Sequence, residues 1–236
     1  MQGINICTIL TNHISTNMKT FLSIGSGPGI GLATAERFSR EGFRVILTSR
    51  NQEYIAAEVQ KLTDAGYQAE GRFVDAGNVS SVTELVRSVE TEIGSVDVLH
   101  FNSAALHDGT LESQSVESFI QDLTINIGSG FAAVKEAAIG MTERQEGTLL
   151  LTGGVFASIP NPDYLALSIG KAGILNLTNA LFDSFRQKNL HIATVTVATL
   201  VAAHSDESKG IAEAFWNLYS QPKESWTSEV VYPAAV

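Results

Sequence analysis

Seven residues constrain this chain more than any others. Gly25-Ser26-Gly27-Pro28-Gly29-Ile30-Gly31 follow a short apolar run, Thr20–Ile24, and open a helical pattern over 29–41. Glycine permits a turn too tight for a side chain and lets backbone approach a ligand. The helix beginning there offers free N–H groups at the positive end of its dipole. The spacing fits G-x-x-x-G-I-G and not G-x-G-x-x-G, because the sixth position of either register is Ile30 or Leu32. A glycine turn alone is a weak signal. With a strand before it and a helix after it, the turn predicts a pyrophosphate cradle, the alternative being a tight βα turn without a ligand.

The rest of the chain repeats that strand-then-helix texture. Apolar runs at Thr20–Ile24, Arg44–Thr48, Ala69–Val74, Val96–Asn102, Thr148–Thr152, Ile192–Val197 and Glu229–Tyr232 read as strands. Helical patterns fall at 29–41, 51–65, 79–93, 114–139, 162–188 and 206–220. Alternation of this kind predicts βαβ units. Unbroken apolar runs such as Leu149-Leu150-Leu151 suit strands covered on both faces. The expected architecture is α/β: one doubly wound, Rossmann-type parallel sheet of about seven strands over 18–236. Residues 1–17 show no period and read as an amino-terminal extension.

Composition narrows the function classes. A net charge of −10 argues against a nucleic-acid module, which needs a concentrated basic face. The single cysteine, Cys7, excludes an intrachain disulfide and a cysteine-rich zinc site. No histidine–carboxylate cluster has metal-ligand spacing. No stretch reads as the ~20 apolar residues of a membrane span, and the start lacks a basic signal-peptide region. The expectation is a cytoplasmic protein with a small-molecule substrate and neither a nucleic-acid nor a membrane partner. The second strand ends in Ser49-Arg50, where a carboxylate would bind ribose hydroxyls and favour NAD. Arg50 instead suits a 2′-phosphate, so NADP is expected in preference to NAD, the alternative being a solvated arginine at a helix start.

Together these features resemble the short-chain dehydrogenase/reductase family, from about residue 20 to the carboxyl terminus. Gly25, Ser26, Gly27, Gly29, Ile30 and Gly31 resemble its glycine motif, with Ile24 where a threonine is usual. Asp75, in Val74-Asp75, resembles the acidic residue that contacts adenine. Asn102, in Phe101-Asn102-Ser103-Ala104, resembles part of N-N-A-G. Asn126 and Lys171 resemble the asparagine and lysine of the catalytic tetrad. By resemblance Lys171 binds the nicotinamide ribose and lowers a tyrosine pKa. The resemblance also implies a homodimer or homotetramer, with helices 114–139 and 162–188 at the interface.

The catalytic positions depart from the family. Y-x-x-x-K would need a tyrosine at Leu167, the usual serine position holds Gly154, and Val197-Ala198 stands for the usual Pro-Gly. Tyr164 lies seven residues before Lys171. On a helix that offset is only about 20°, so the two share a face if the helix includes 164. The same seven-residue spacing is similar to that of enoyl-acyl-carrier-protein reductases, whose glycine loop is longer. Tyr164 is therefore the candidate proton donor, the alternative being a half-buried aromatic at a helix start. The functional expectation is an NADP-dependent oxidoreductase acting on a carbonyl or activated alkene. The alternatives are a catalytically silent NADP-binding protein and non-redox chemistry over a vestigial site.

Remaining polar residues are read more simply. His107-Asp108 borders the pocket, where a histidine could serve as an acid or base; the plainer reading is a solvated loop pair. Thr152 is a hydroxyl beside the nicotinamide position, and Ser158 is a weaker candidate. Phe215, Trp216 and Tyr219 are helix-spaced core or pocket wall. Glu112, Glu117 and Asp122 form a solvated face. The short segment Thr199–Ser208 predicts an open pocket.

Overall fold

The computed structural model describes residues 18–233, so the extension read over 1–17 lies outside them. Seven strands form one parallel sheet: β1 Thr20–Ile24, β2 Arg44–Ser49, β3 Ala69–Phe73, β4 Val96–Phe101, β5 Gly147–Thr152, β6 Leu190–Val197 and β7 Glu229–Tyr232. Their order is β3-β2-β1-β4-β5-β6-β7. The chain thus winds outward from β1 in one direction and from β4 in the other. The two neighbours leave a crevice at their carboxyl ends, where open α/β sheets bind ligands.

Helices α1 Ile30–Arg40, α2 Gln52–Asp64, α3 Val79–Glu92, α4 Val116–Leu123, α5 Ser129–Arg144, α6 Leu165–Gln187 and α7 Asp206–Tyr219 cover both faces. Strand alternation sends consecutive residues to opposite layers. Leu22, Ile24, Leu99, Leu149 and Leu151 pack with Val86, Ala137 and Ile174 from the α3, α5 and α6 side. Phe21, Val98, Leu150 and Val195 pack with Leu32, Phe38, Ile211 and Phe215 from the α1 and α7 side. An apolar run with no polar alternation therefore becomes a strand buried on both sides.

Two elements differ from the sequence reading. The helix expected over 114–139 is α4, then one π-helical turn at Thr124–Gly128, then α5 continuing to Arg144. Such single turns inside helices let a residue leave the regular face, and Asn126 sits in this one. The second difference is α6. Its 23 residues are long and apolar enough to cross a membrane by length and composition, although the sequence reading found no such stretch. Here α6 packs against β6 and buries Lys171 and Ile174. A central helix of a two-layered core meets the same apolar criterion as a membrane span.

Candidate active site at the carboxyl edge of the sheet

The glycine turn closes on β4. Gly25 has φ +95°, and a Cβ there would lie 2.7 Å from the backbone N of Ser103. A Cβ on Gly31 would strike the Gly25 carbonyl and Ser26. Both positions therefore require glycine for stated steric reasons. Ser26 is buried, and its hydroxyl donates to the Ser23 carbonyl at 3.2 Å and accepts from Thr48 N at 3.0 Å, tying the loop to β2. Gly29 is the N-cap of α1, with no side-chain cap and no acidic residue in the first turn. The helix N-terminus is thus bare and positive, as an anion site requires.

A cavity of about 630 Å³ opens over this turn. Gly25, Ser26, Gly27, Ser49, Arg50, Asp75 and Asn102 all line it. Seven of the residues singled out in the sequence are thereby gathered around one cavity, although they span four strand ends. Arg50 is exposed at its edge, and Asn51 caps α2 by accepting from Tyr54 N at 3.0 Å. Asp75 holds its own turn, its carboxylate accepting from Gly77 N at 2.9 Å. Asn102 donates from Nδ2 to the Gly25 carbonyl at 2.8 Å and accepts at Oδ1 from the Thr152 hydroxyl at 2.9 Å. Its side chain is a brace between the glycine loop and β5.

Lys171, Tyr164 and Asn126 stand outside that cavity lining. Lys171 is buried and donates from Nζ to the Thr152 carbonyl at 2.7 Å. Burial pushes its pKa down to about 8. Gly154, where the resemblance would place a serine, lies alongside, since a Cβ on it would come 3.3 Å from Lys171 Cγ. Leu167 is buried on the same helix. Asn126 is buried and accepts at Oδ1 from Ala105 N at 2.7 Å, while its Nδ2 has no partner among the described residues. Gly170 lets α6 press directly against the Asn126 side chain.

Tyr164 is not in the helix. It is the N-cap of α6, with φ −129° and ψ 51°. The face-sharing condition set by helical geometry is therefore not met, and the turn geometry around residue 164 directs the ring instead. That ring is half-buried and stacks on Phe156 at 5.8 Å. The Tyr164 backbone bridges Gly109, in the loop after β4.

Three features escaped the sequence reading. Asp122 is buried, not solvated, and receives His107 Nε2 at 3.1 Å; both line the cavity. His107 thus pairs across to α4 and not with its neighbour Asp108. The signal available was spacing: Asp122 precedes Asn126 by one helical turn. His100 is fully buried, with Ser23 Oγ 3.3 Å from Nδ1 and Thr152 Oγ1 3.2 Å from Nε2. The Thr152 hydroxyl, read in the sequence as lying beside the nicotinamide position, is committed to this internal chain. The segment after β6 rests on the glycine loop, His204 N donating to the Pro28 carbonyl at 3.0 Å.

Comparison with known proteins gives a consistent picture. A family model described as short chain dehydrogenase matches residues 19–210. A 2-(S)-hydroxypropyl-CoM dehydrogenase of Xanthobacter autotrophicus is 28% identical, over 75% of this chain and 70% of that protein. A putative ketoacyl reductase of Streptomyces coelicolor is 32% identical, over 68% of this chain and 62% of its own length. The crystal structure of a short-chain dehydrogenase from Rhodopseudomonas palustris superposes with TM-score 0.84 at 26% identity, covering 92% of this chain and 99% of that one. A metagenomic short-chain oxidoreductase crystallised with NADP superposes equally, TM-score 0.84, covering 92% of this chain and 98% of the other. At 23% identity that second likeness speaks for the fold alone.

Proposed function

The chain belongs to the short-chain dehydrogenase family, and from that premise we propose that it is an NADP-dependent oxidoreductase whose substrate is a carbonyl or an activated alkene, small or carrier-bound. The observation that carries the reading is the 630 Å³ cavity at the sheet's switch point. Gly25, Ser26 and Gly27 of the glycine turn line it, and that turn leads into a helix N-terminus with no side-chain cap. That donor set fits a dinucleotide. Backbone N–H groups of Gly27, Gly29, Ile30 and Gly31 would hold the pyrophosphate. Arg50 would pair with a 2′-phosphate, and Asp75 would meet the adenine. Lys171 would bind the nicotinamide ribose. A bound dinucleotide supplies the hydride.

The chain's own residues must then manage the proton. With Leu167 and Gly154 at the usual positions, neither a phenol four residues before Lys171 nor a serine hydroxyl is present. Each such group ordinarily contributes on the order of 10²–10³ in rate. Tyr164 is the proposed donor, because it caps the helix that carries Lys171 and bridges the loop bordering the cavity. Reduction of a conjugated alkene places negative charge on an oxygen removed from the attacked carbon. A phenol displaced from the usual position suits that arrangement better than direct ketone reduction.

Parallel calorimetric titrations with NADPH and NADH test the cofactor reading. NADPH is expected to bind at least tenfold tighter, and Arg50→Ala should erase most of the difference. Turnover of enones and ketones by wild type and Tyr164→Phe tests the donor; unchanged turnover in Tyr164→Phe removes Tyr164 from the chemistry. The missing serine and tyrosine favour one second reading, a nucleotide-binding protein without turnover. NADPH binding without consumption across the substrate panel would select it.

A further inference from the structure

A buried polar chain crosses three strands beneath the cavity. Ser23 of β1, His100 of β4 and Thr152 of β5 lie on the face that packs toward α7, where Phe215 sits against the imidazole at 4.6 Å. All three are at most 5% exposed. Their hydrogen bonds continue from Thr152 Oγ1 to Asn102 Oδ1 at 2.9 Å and from Asn102 Nδ2 to the Gly25 carbonyl at 2.8 Å. The carbonyl of the same Thr152 receives Lys171 Nζ at 2.7 Å. Asn102 and Thr152 thus join the glycine loop to the lysine's anchor, and His100, near the end of an apolar strand, is hydrogen-bonded to the Thr152 hydroxyl from behind.

Donor counting fixes the direction of that path. A threonine hydroxyl has one proton, and Thr152 gives it to Asn102 Oδ1, because Asn102 Nδ2 is committed to the Gly25 carbonyl. Thr152 Oγ1 can then only accept from His100, so Nε2 carries the hydrogen. In a neutral ring Nδ1 is then an acceptor, taking the Ser23 hydroxyl proton. The ring is held neutral: burial, and then the nearby Lys171 charge, push its pKa down to about 3. Every member of the chain is satisfied, and reversing any one link would leave a buried acceptor facing an acceptor.

We infer that His100 is a positioning residue, whose Nε2–H orients the Thr152 hydroxyl and through it the Asn102 amide, so that the glycine loop is preset to receive the dinucleotide. This rests on the nucleotide-binding reading above. His100 is absent from the cavity lining, so it acts through Asn102 without touching the cofactor.

The test compares NADPH affinity and thermal midpoint across His100→Leu, His100→Gln, Thr152→Val and the double variant His100→Leu/Thr152→Val. Glutamine can place an amide N–H where Nε2–H stood; leucine cannot. His100→Leu is expected to weaken NADPH about tenfold, the scale of one lost buried hydrogen bond, with His100→Gln within about threefold of wild type. Thr152→Val should match His100→Leu, and the double variant should bind no more weakly than either single one. Long-range 1H–15N correlation on the wild type should show a protonated Nε2 and a bare Nδ1, which needs no variant to fold. A protonated Nδ1, or folded His100→Leu and Thr152→Val proteins binding NADPH like wild type, overturns the inference. A wild type that binds no NADPH removes the nucleotide reading and this inference with it. That outcome differs from failure of the inference alone, where wild type binds and the variants bind equally.

Discussion

At the scale of single residues, Lys171 shows what a buried ammonium costs a fold. Its ammonium is buried against one carbonyl, with its pKa down at about 8 against an ordinary 10.5. Below pH 8 the folded state therefore carries a charge that burial disfavours. Between pH 8 and 10.5 the folded state sheds that proton more readily than the unfolded chain, so the penalty fades as pH rises. Lys171→Met is expected to be more stable than wild type at pH 7, by on the order of 3 kcal/mol at most. Urea denaturation should show this gain shrinking toward pH 10, while NADPH affinity falls. The neighbouring Gly154 and Leu167 allow the complementary experiment. Gly154→Ser brings a Cβ to 3.3 Å from the Lys171 stem, a close approach a flexible side chain can absorb. Combined with Leu167→Tyr it should raise ketone turnover by on the order of 10²-fold in a steady-state assay.

At the scale of elements, the helix that changes character at Asn126 positions most of what the sequence left unplaced. The π-helical turn takes Asn126 inward to hold Ala105 N, while Asp122, at the end of α4, reaches His107 in the same loop. The loop after β4 is therefore pinned twice by one helix pair. A periodic pattern over 114–139 carries no trace of the extra residue, because one inserted residue changes the phase without changing composition. Side-chain caps at helix starts act locally. Asn78 accepts from Ser80 N and Ser81 N at the start of α3. Asn78→Ala should cost about 1 kcal/mol in urea denaturation and leave NADPH affinity unchanged. Tyr164 is the opposite case: the pattern placed it inside a helix, and its actual N-cap dihedrals set a different direction for its ring.

At the scale of the whole molecule, stability and assembly are the properties to predict. His100 stays neutral in the fold down to about pH 3, whereas an unfolded histidine takes up a proton near 6.5. The folded pKa is depressed, so stability is lost as pH falls from 6.5 toward 3, by on the order of 4–5 kcal/mol from this residue. The burial of His191 acts in the same direction. His100→Gln should flatten the decline in urea midpoint between pH 7 and pH 4 relative to wild type. On α5, Phe131, Lys135 and Ile139 repeat at one helical turn on an exposed face, with Phe131 and Ile139 each 53% exposed. If this face joins copies of the chain, Phe131→Glu should shift the species measured by light scattering to a smaller mass.

Seven strands, their order of appearance, the parallel class of sheet and the glycine turn were written locally: in runs of apolar residues, in the helical patterns between them and in one turn that tolerates no Cβ. Those are properties of a residue and its near neighbours, so the amino-acid order alone determines them. The family resemblance could likewise be read from short motifs such as Gly25 to Gly31 and the surroundings of Lys171. Only the folded chain decided that Asp122 is buried, that His107 turns to α4, and that Ser23, His100, Thr152 and Asn102 join in one hydrogen-bonded path. Those contacts bring together residues far apart in the sequence. Whether a polar side chain in a strand faces solvent, a partner or a void depends on the register of strands paired across the sheet. That register is set by packing the two apolar layers together, which no local pattern encodes.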